Sequence, residues 1–320
     1  MRDFRFSSNI FGITSRENFV SECREAESAG YDTIFSADHL GIPAPFPLLV
    51  AAADATSRLR VGTLVLNVPF WNPALLAREV ATTDILTEGR LELGLGSGHM
   101  KWEFDAAGID WLGPAARAQA LEQMISELQR YFTTGFERLR AGRSGPVPVQ
   151  RSGFGASGPP LLVGGTGDAV LRIGAEHAQI LGVAGVYQVK GQPPGTFRLC
   201  RAAEADERVA FARTCAGSRA DDIEWHLLVQ NVTVTDDRRG AAEELVRSSR
   251  AEAEAAGWAD ERAILSVEEA LETPYLLIGS ADEIAAQLRR SRERWGFSYI
   301  TVHEPYRRAF IPVIERLRGQ

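Results

Sequence analysis

The sequence predicts an α/β protein built as a (β/α)8 barrel, the TIM barrel, and three observations carry that expectation. Short runs rich in β-branched residues and leucine alternate with helical patterns along the whole chain. The length of 320 residues allows either two ordinary domains or one such barrel, which takes roughly 250 residues. The stretch from Arg60 to Gly98 reads as strand, helix, strand, with both strands apolar nearly throughout. That pattern indicates a parallel sheet covered on both faces.

Taken in order, Phe4 to Phe11 is the first strand, and Thr14-Ser15-Arg16-Glu17 is a capping box opening a helix that ends at Gly30. Thr33 to Ser36 is the second strand, with a helix from Pro43 to Arg58. Val61 to Leu66 and Leu91 to Leu95 are the third and fourth, joined by an alanine-rich helix that Asn72-Pro73 starts. Pro114 to Phe132 repeats Leu121, Ile125, Leu128 and Phe132 at helical spacing. Thr133 to Pro160 then breaks the rhythm with glycines and prolines, and reads as an inserted excursion after the fourth helix, a hairpin or lid. Leu161 to Val163 is the fifth strand, running through Gly164-Gly165-Thr166-Gly167 into a helix to Ala178. Ile180 to Val183 is the sixth, followed by a Gly/Pro-rich loop, Gly185 to Gly195, and a helix to about residue 216. Leu227 to Val234 is the seventh, with a helical region from about Gly240 to Thr273. Ser280 to Glu283 is a capping box for a helix ending at Gly296, Tyr299 to Val302 is the eighth strand, and Pro305 to Leu317 the last helix. Eight repeats without a break in composition argue for one barrel domain over residues 1–320 with its insertion at about 133–160. The alternative is a doubly wound open sheet. No Gly-x-Gly-x-x-Gly follows the first strand to support it.

The formal charge of −7 argues against nucleic acid or an anionic membrane as partner, since both reward a basic patch. Arg289, Arg290, Arg292 and Arg294 alternate with acids on a helical segment, as a solvated face does. Cys23, Cys200 and Cys215 are odd in number and lack metal-ligand spacing, which fits reduced thiols in the cytoplasm. The N-terminus has no signal-like apolar core, and no apolar run reaches the roughly 20 residues of a membrane span.

Barrel chemistry lies at the carboxyl ends of the strands. The polar groups predicted there are Ser8 and Asn9, Asp38 and His39, Asn67, Ser97 and His99, Asn231, and His303 with Glu304. His39, with an acidic neighbour, suits proton transfer at neutral pH, against the plainer reading of a strand-terminal cap. His99 and Glu103 after the fourth strand could supply a second acid. His226 near a strand start and His177 at a helix end read as structural, and no histidine pair has zinc spacing, so no metal is expected. Gly164 to Gly167 offers consecutive N–H groups at a helix N-terminus, which attract a phosphate, or it is an ordinary tight turn. No Gly-x-Ser-x-Gly elbow and no local Cys–His pair supports acyl transfer. Apolar walls, glycine loops and imidazoles suit a bound redox cofactor better.

Ser36-Ala37-Asp38-His39, Gly62 to Asn67 with Asn72-Pro73, Glu88 to Gly98 and Val163-Gly164-Gly165 together resemble the bacterial luciferase-like superfamily over nearly the whole chain. The block Gly-Arg-x-x-x-Gly-x-Gly-x-Gly is its most specific part, and the chain looks most like the short deazaflavin branch that uses coenzyme F420. The resemblance implies that Asp38, Asn67, Ser97 and Gly98 contact the deazaflavin, that Gly164, Gly165 and Gly167, with Thr166 among them, form its phosphate loop, and that a non-proline cis peptide near Leu64-Val65 lies behind its ring. It implies that His39 faces the reacting carbon. The branch's sugar-phosphate dehydrogenase has a tryptophan where this chain has Pro43 and a glutamate where it has His99. These departures argue against glucose 6-phosphate and make His99 a candidate acid.

The expected function is therefore F420-dependent hydride transfer between the deazaflavin C5 and a small organic substrate, with His39, His99 and Glu103 handling protons. The alternatives are an FMN-dependent two-component monooxygenase and a flavin-binding protein without turnover. The resemblance also implies a homodimer and admits a separate flavin or F420 reductase as partner. The excursion and the Gly185 to Gly195 loop are expected to shape the substrate pocket, with Phe70, Trp71, Trp102 and Trp111 as its aromatic wall or as ordinary core.

Overall fold

The computed structural model describes residues 2–135, 145–258 and 264–320. Its parallel strands are β1 (Arg5–Ile10), β2 (Thr33–Ser36), β3 (Arg60–Thr63), β4 (Leu91–Gly96), β5 (Leu161–Gly165), β6 (Ile180–Val183), β7 (Glu224–Val229) and β8 (Phe297–Val302). Each pairs with its neighbours in sequence order, and β8 pairs with β1. Val61 and Gly62 of β3 pair with Leu91 and Glu92 of β4, which closes the ring. The expected (β/α)8 barrel is the observed fold, and the open sheet is ruled out by that closure.

The helices are α1 (Arg16–Ala29), α2 (Pro45–Ala55), α3 (Pro73–Leu86), α4 (Lys101–Ala107), α5 (Pro114–Thr134), α6 (Asp168–His177), α7 (Ala202–Ala216), α8 (Arg238–Ala255), α9 (Val267–Glu272), α10 (Ala281–Trp295) and α11 (Ile311–Leu317). Local chemistry starts and stops them where expected. Ser15 accepts from Asn18 N–H at the head of α1, and Gly30 takes the left-handed conformation, φ 95°, at its end. Asn72 accepts from Ala74 and Leu75 at the head of α3, and Ser280 with Glu283 forms the capping box of α10.

Several expectations are corrected. The third strand is interrupted by a cis Leu64-Val65 peptide, after which Leu66 and Asn67 rejoin β4 opposite Leu95 and Gly96. The seventh strand divides at Gln230. Glu224–Val229 stays in the barrel, whereas Asn231–Val234 leaves it to pair with Leu276–Gly279. The Gly185 to Gly195 loop is the turn region of a ribbon in which Val186–Gln188 pairs antiparallel with Phe197–Leu199. The helical region at 240–273 comprises α8 and α9, with residues 259–263 outside the described residues. Of the excursion, residues 136–144 lie outside the described residues. The described remainder runs beneath the barrel: Gln150 donates to the Leu91 carbonyl at the start of β4 at 2.7 Å and to Asp84 at 2.6 Å. That part cannot wall a pocket at the opposite face.

The barrel is filled in layers. At the floor, buried Glu92 accepts from Arg5 at 2.5 Å, Arg60 at 2.6 Å and Tyr299 at 2.9 Å, while Arg5 also pairs with Glu224 at 2.7 Å. Above it Phe35, Leu162, Ile180 and Tyr299 pack together, with Leu64 and Val65 against them. His226 is buried among these rings and lies 2.6 Å from Thr301 Oγ1. No described helix is long and apolar enough to cross a membrane.

Candidate active site

A cavity of about 740 Å³ opens at the carboxyl ends of the strands. Its wall contains Asp38, His39, Leu64, Val65, Asn67, Ser97, Gly98, His99, Glu103 and the whole Gly164 to Gly167 loop, so the structure brings the sequence-predicted site residues around one space.

β2 ends at Ser36, which delivers Asp38 and His39 to the rim. Asp38 Oδ2 accepts from the Asn67 N–H at 3.0 Å and Trp71 Nε1 at 2.8 Å. Burial still pushes its carboxyl above the usual range, those hydrogen bonds opposing the rise. After β4, Glu103 sits not on a loop, as its sequence context suggested, but in the first turn of α4, where it is 1% exposed. Its Oε1 and Oε2 lie 2.9 and 3.1 Å from His39 Nδ1, and the Leu40 N–H donates to Oε1 at 3.1 Å. A carboxylate accepts, so Nδ1 carries the proton and Nε2 keeps its lone pair for the cavity. The His99 ring stands nearly perpendicular to His39, centroids 5.5 Å apart, and 5.5 Å from the Phe197 ring. Burial lowers its pKa, a proton on His39 or the charge of Arg117 would lower it further, and Glu103 opposes.

Among the side-chain atoms buried without a hydrogen-bond partner among the described residues are Asn67 Oδ1 and Thr166 Oγ1. Leaving such atoms unpaired costs about 1–3 kcal/mol each. The glycines keep the space open. A Cβ on Gly98, whose φ is +77°, would sit 2.4 Å from Asn67 Oδ1 and 2.8 Å from the Phe104 ring. Sequence reading missed one further member, Arg117. It is 8% exposed, lines the cavity from the first turn of α5, lies over the Trp111 ring at 3.8 Å, and donates to the Leu112 carbonyl. It meets no carboxylate among the described residues, and its Nε has no partner. A buried guanidinium without a counter-ion calls for an anion. The signal was an arginine on the inward face of an otherwise apolar helical repeat.

The apolar cis pair, the orphan amide oxygen, and the glycine loop with Thr166 and Arg117 fit a planar heterocycle carrying a phosphate. Of the four aromatics weighed as a pocket wall or as ordinary core, none lines the cavity. Trp71 packs on Phe46 and holds Asp38, Phe70 and Trp111 pack on Phe104, and Trp102 is 51% exposed. Phe11 and Phe197 line the cavity instead. Ser8 is buried in β1, donating to the Asn9 carbonyl, and Asn231 binds Tyr306 Oη outside the barrel. His226, read as structural, is buried yet also borders the cavity floor.

A profile of luciferase-like monooxygenases matches residues 9–299. The chain belongs to that family. Among luciferase-like relatives, an F420-dependent glucose-6-phosphate dehydrogenase of Amycolatopsis mediterranei is 31% identical over 140 residues, 41% of this chain and 41% of the relative. The oxygenase component of a flavin-dependent trigonelline monooxygenase of Acinetobacter baylyi is 28% identical over 158 residues, 46% of this chain and 42% of the relative. The chain thus spans less than half the length of these curated relatives. The structure of the coenzyme F420-dependent tetrahydromethanopterin reductase of Methanopyrus kandleri superposes with a TM-score of 0.70 at 18% identity, covering 99% of this chain and 98% of that one. At that identity the likeness is one of fold.

Proposed function

We propose that the chain is an F420-dependent oxidoreductase that exchanges a hydride with a small organic substrate. The observation that carries this reading is the His39–Glu103 pair, fixed at 2.9 Å on the wall of the cavity that also holds the orphan Asn67 Oδ1 and Thr166 Oγ1. When bound, a deazaflavin supplies two-electron hydride transfer and little else. Asn67 would hold its ring by a hydrogen bond, Leu64 and Val65 would support the ring face, and Thr166, the glycine-loop N–H groups and Arg117 would hold its phosphate.

His39 moves the accompanying proton. With Nδ1–H donated to Glu103, Nε2 is placed to take the proton of a substrate alcohol, and to return it to a carbonyl oxygen in the reverse direction. Glu103 steadies the imidazolium so formed and keeps the ring in one tautomer, as the acid in a His–Asp pair does. His99, kept neutral near pH 7 by its depressed pKa, adds a second hydrogen-bonding group without adding charge. Holding both reactants in one cavity can contribute roughly 7–11 kcal/mol of the barrier.

Anaerobic turnover that changes F420 absorbance, without oxygen uptake when reduced FMN is supplied, is the expected result. Oxygen uptake with reduced FMN and no F420 turnover overturns it in favour of a flavin monooxygenase. The likeness to the oxygenase component of trigonelline monooxygenase supports that second reading. Cofactor binding without any turnover would leave a flavin-binding protein.

A further inference from the structure

The wall formed by β8 and β1 carries another imidazole whose proton position the fold dictates. His303, half-buried just past β8, lines the cavity beside Asn9 of β1. The Glu304 backbone N–H donates to Asn9 Oδ1 at 3.2 Å. A backbone N–H can only donate, so the amide oxygen faces Glu304 and the amide nitrogen faces the other way. Asn9 Nδ2 lies 2.9 Å from His303 Nδ1. That nitrogen, too, can only donate. His303 Nδ1 therefore carries the lone pair, and the proton of the neutral ring sits on Nε2. An imidazolium would set two donors face to face, and burial lowers the pKa of His303 in the same sense. The ring plane is fixed as well: Phe11 stacks on it at 5.4 Å and 29°, and the Phe11 N–H is held by Glu304 Oε2 at 2.7 Å.

His39 is set the opposite way, with Nδ1–H given to Glu103 and a lone pair on Nε2. One cavity thus receives an imidazole that accepts from one wall and an imidazole that donates from another. The groups suited to a cofactor come from β3, β4, β5 and α5, whereas β8 and β1 stand across the ring from β4 and β5 in the strand order. Between them the wall carries apolar Phe11, Phe197 and Leu228 together with polar Gln230 and His226.

We propose that His303 is a specificity-determining residue whose Nε2–H donates a hydrogen bond to a carbonyl or hydroxyl oxygen of the substrate. The inference rests on reading the cavity as a redox substrate site, and its test separates the two. A site built to pair a substrate oxygen discriminates strongly against an analogue that lacks it, because its donor is then left unpaired.

The test uses nitrogen NMR of the whole protein and binding of two probes, acetophenone and α-methylstyrene, which differ by O for CH2. Wild-type His303 should show the Nε2–H tautomer and stay neutral from pH 6 to 8, and acetophenone should bind at least tenfold tighter and shift the Nε2 signal. His303→Phe should reduce the preference below threefold while F420 affinity changes less than threefold. Asn9→Asp, whose carboxylate accepts where the amide donated, should, at a pH where the variant's ring is neutral by nitrogen NMR, move the proton to Nδ1 and also abolish the preference, which covers the case of a poorly folded His303→Phe. An Nδ1–H tautomer in the wild type, an equal or undetectable affinity for the two probes, or a preference that survives both variants overturns the proposal. F420 affinity falling tenfold in His303→Phe assigns the donor to the cofactor and overturns it too. Failure of the wild type to bind F420 refutes the cofactor reading alone, since tautomer and probe preference are measured on the apoprotein as well.

Discussion

Glu103 fixes the His39 ring and Asn9 that of His303, and the predictions at this scale follow from removing single side chains. His39→Ala removes the proposed proton carrier, and single-turnover hydride transfer should slow at least tenfold while F420 affinity, read by fluorescence, holds within threefold. Unchanged single-turnover rates would take His39 out of the mechanism. Arg117 makes a different prediction, because its charge faces no carboxylate among the described residues. Arg117→Met should weaken F420 at least tenfold, yet leave the affinity for the deazaflavin riboside, which lacks the phosphate, within threefold. Equal losses for both compounds would mean that the arginine holds the ring or only the loop at Leu112. Asp38, His39 and the glycine loop were legible because polar residues at the end of an apolar strand advertise the barrel rim. Arg117 was not, since the absence of a counter-ion is a property of three-dimensional neighbours.

Among elements, the break after β3 and the turn after β4 shape one side of the cavity together. Gly98 sits at φ +77° against Asn67 and Phe104, so Gly98→Ala should displace the Asn67 amide and weaken F420 at least tenfold; retained affinity would show that the turn adjusts. At the barrel floor, burial alone would raise Glu92, but Arg5 and Arg60 outweigh it and hold the carboxyl below its usual range. Glu92→Ala would leave Arg5 and Arg60 without this shared carboxylate, and should cost about 3 kcal/mol in urea unfolding. A loss below about 1 kcal/mol would mean that water or Glu224 replaces it. Long periodic elements such as α1 and α5 were readable from sequence, because burial of one face imposes a spacing. The ribbon strands Val186–Gln188, Phe197–Leu199 and Leu276–Gly279 were not, since three or four residues carry too little pattern and their pairing is decided by partners distant in the chain. The break at Gln230 escaped for the same reason, as Leu227 to Val234 is apolar-rich on both sides of it.

For the molecule as a whole, acid should be the weak side. Burial pushes His226 down to about 3, with Glu92 opposing and Arg5 assisting. Its folded pKa thus lies below the ordinary 6.5, so in acid the unfolded chain binds a proton that the fold refuses. Stability is then full above that ordinary value and is lost progressively toward about 3. Glu92, lowered in the fold, loses its contribution in the same direction. Urea midpoints measured from pH 7 to pH 4 should therefore fall, and fall less steeply in His226→Gln; equal slopes would show that His226 finds a proton within the fold. The closed ring was foreseeable as a count of strand–helix repeats, whereas the passage of residues 145–150 beneath it depended on Gln150 reaching Asp84 and Leu91, which no local pattern encodes. The central claim is that the cavity at the top of this barrel is a deazaflavin site. Fluorescence titration of the purified protein with F420 and with FMN, each oxidised and reduced, tests it most directly. Micromolar F420 binding with FMN at least tenfold weaker is the predicted result, and tighter binding of FMN than of F420 would contradict it.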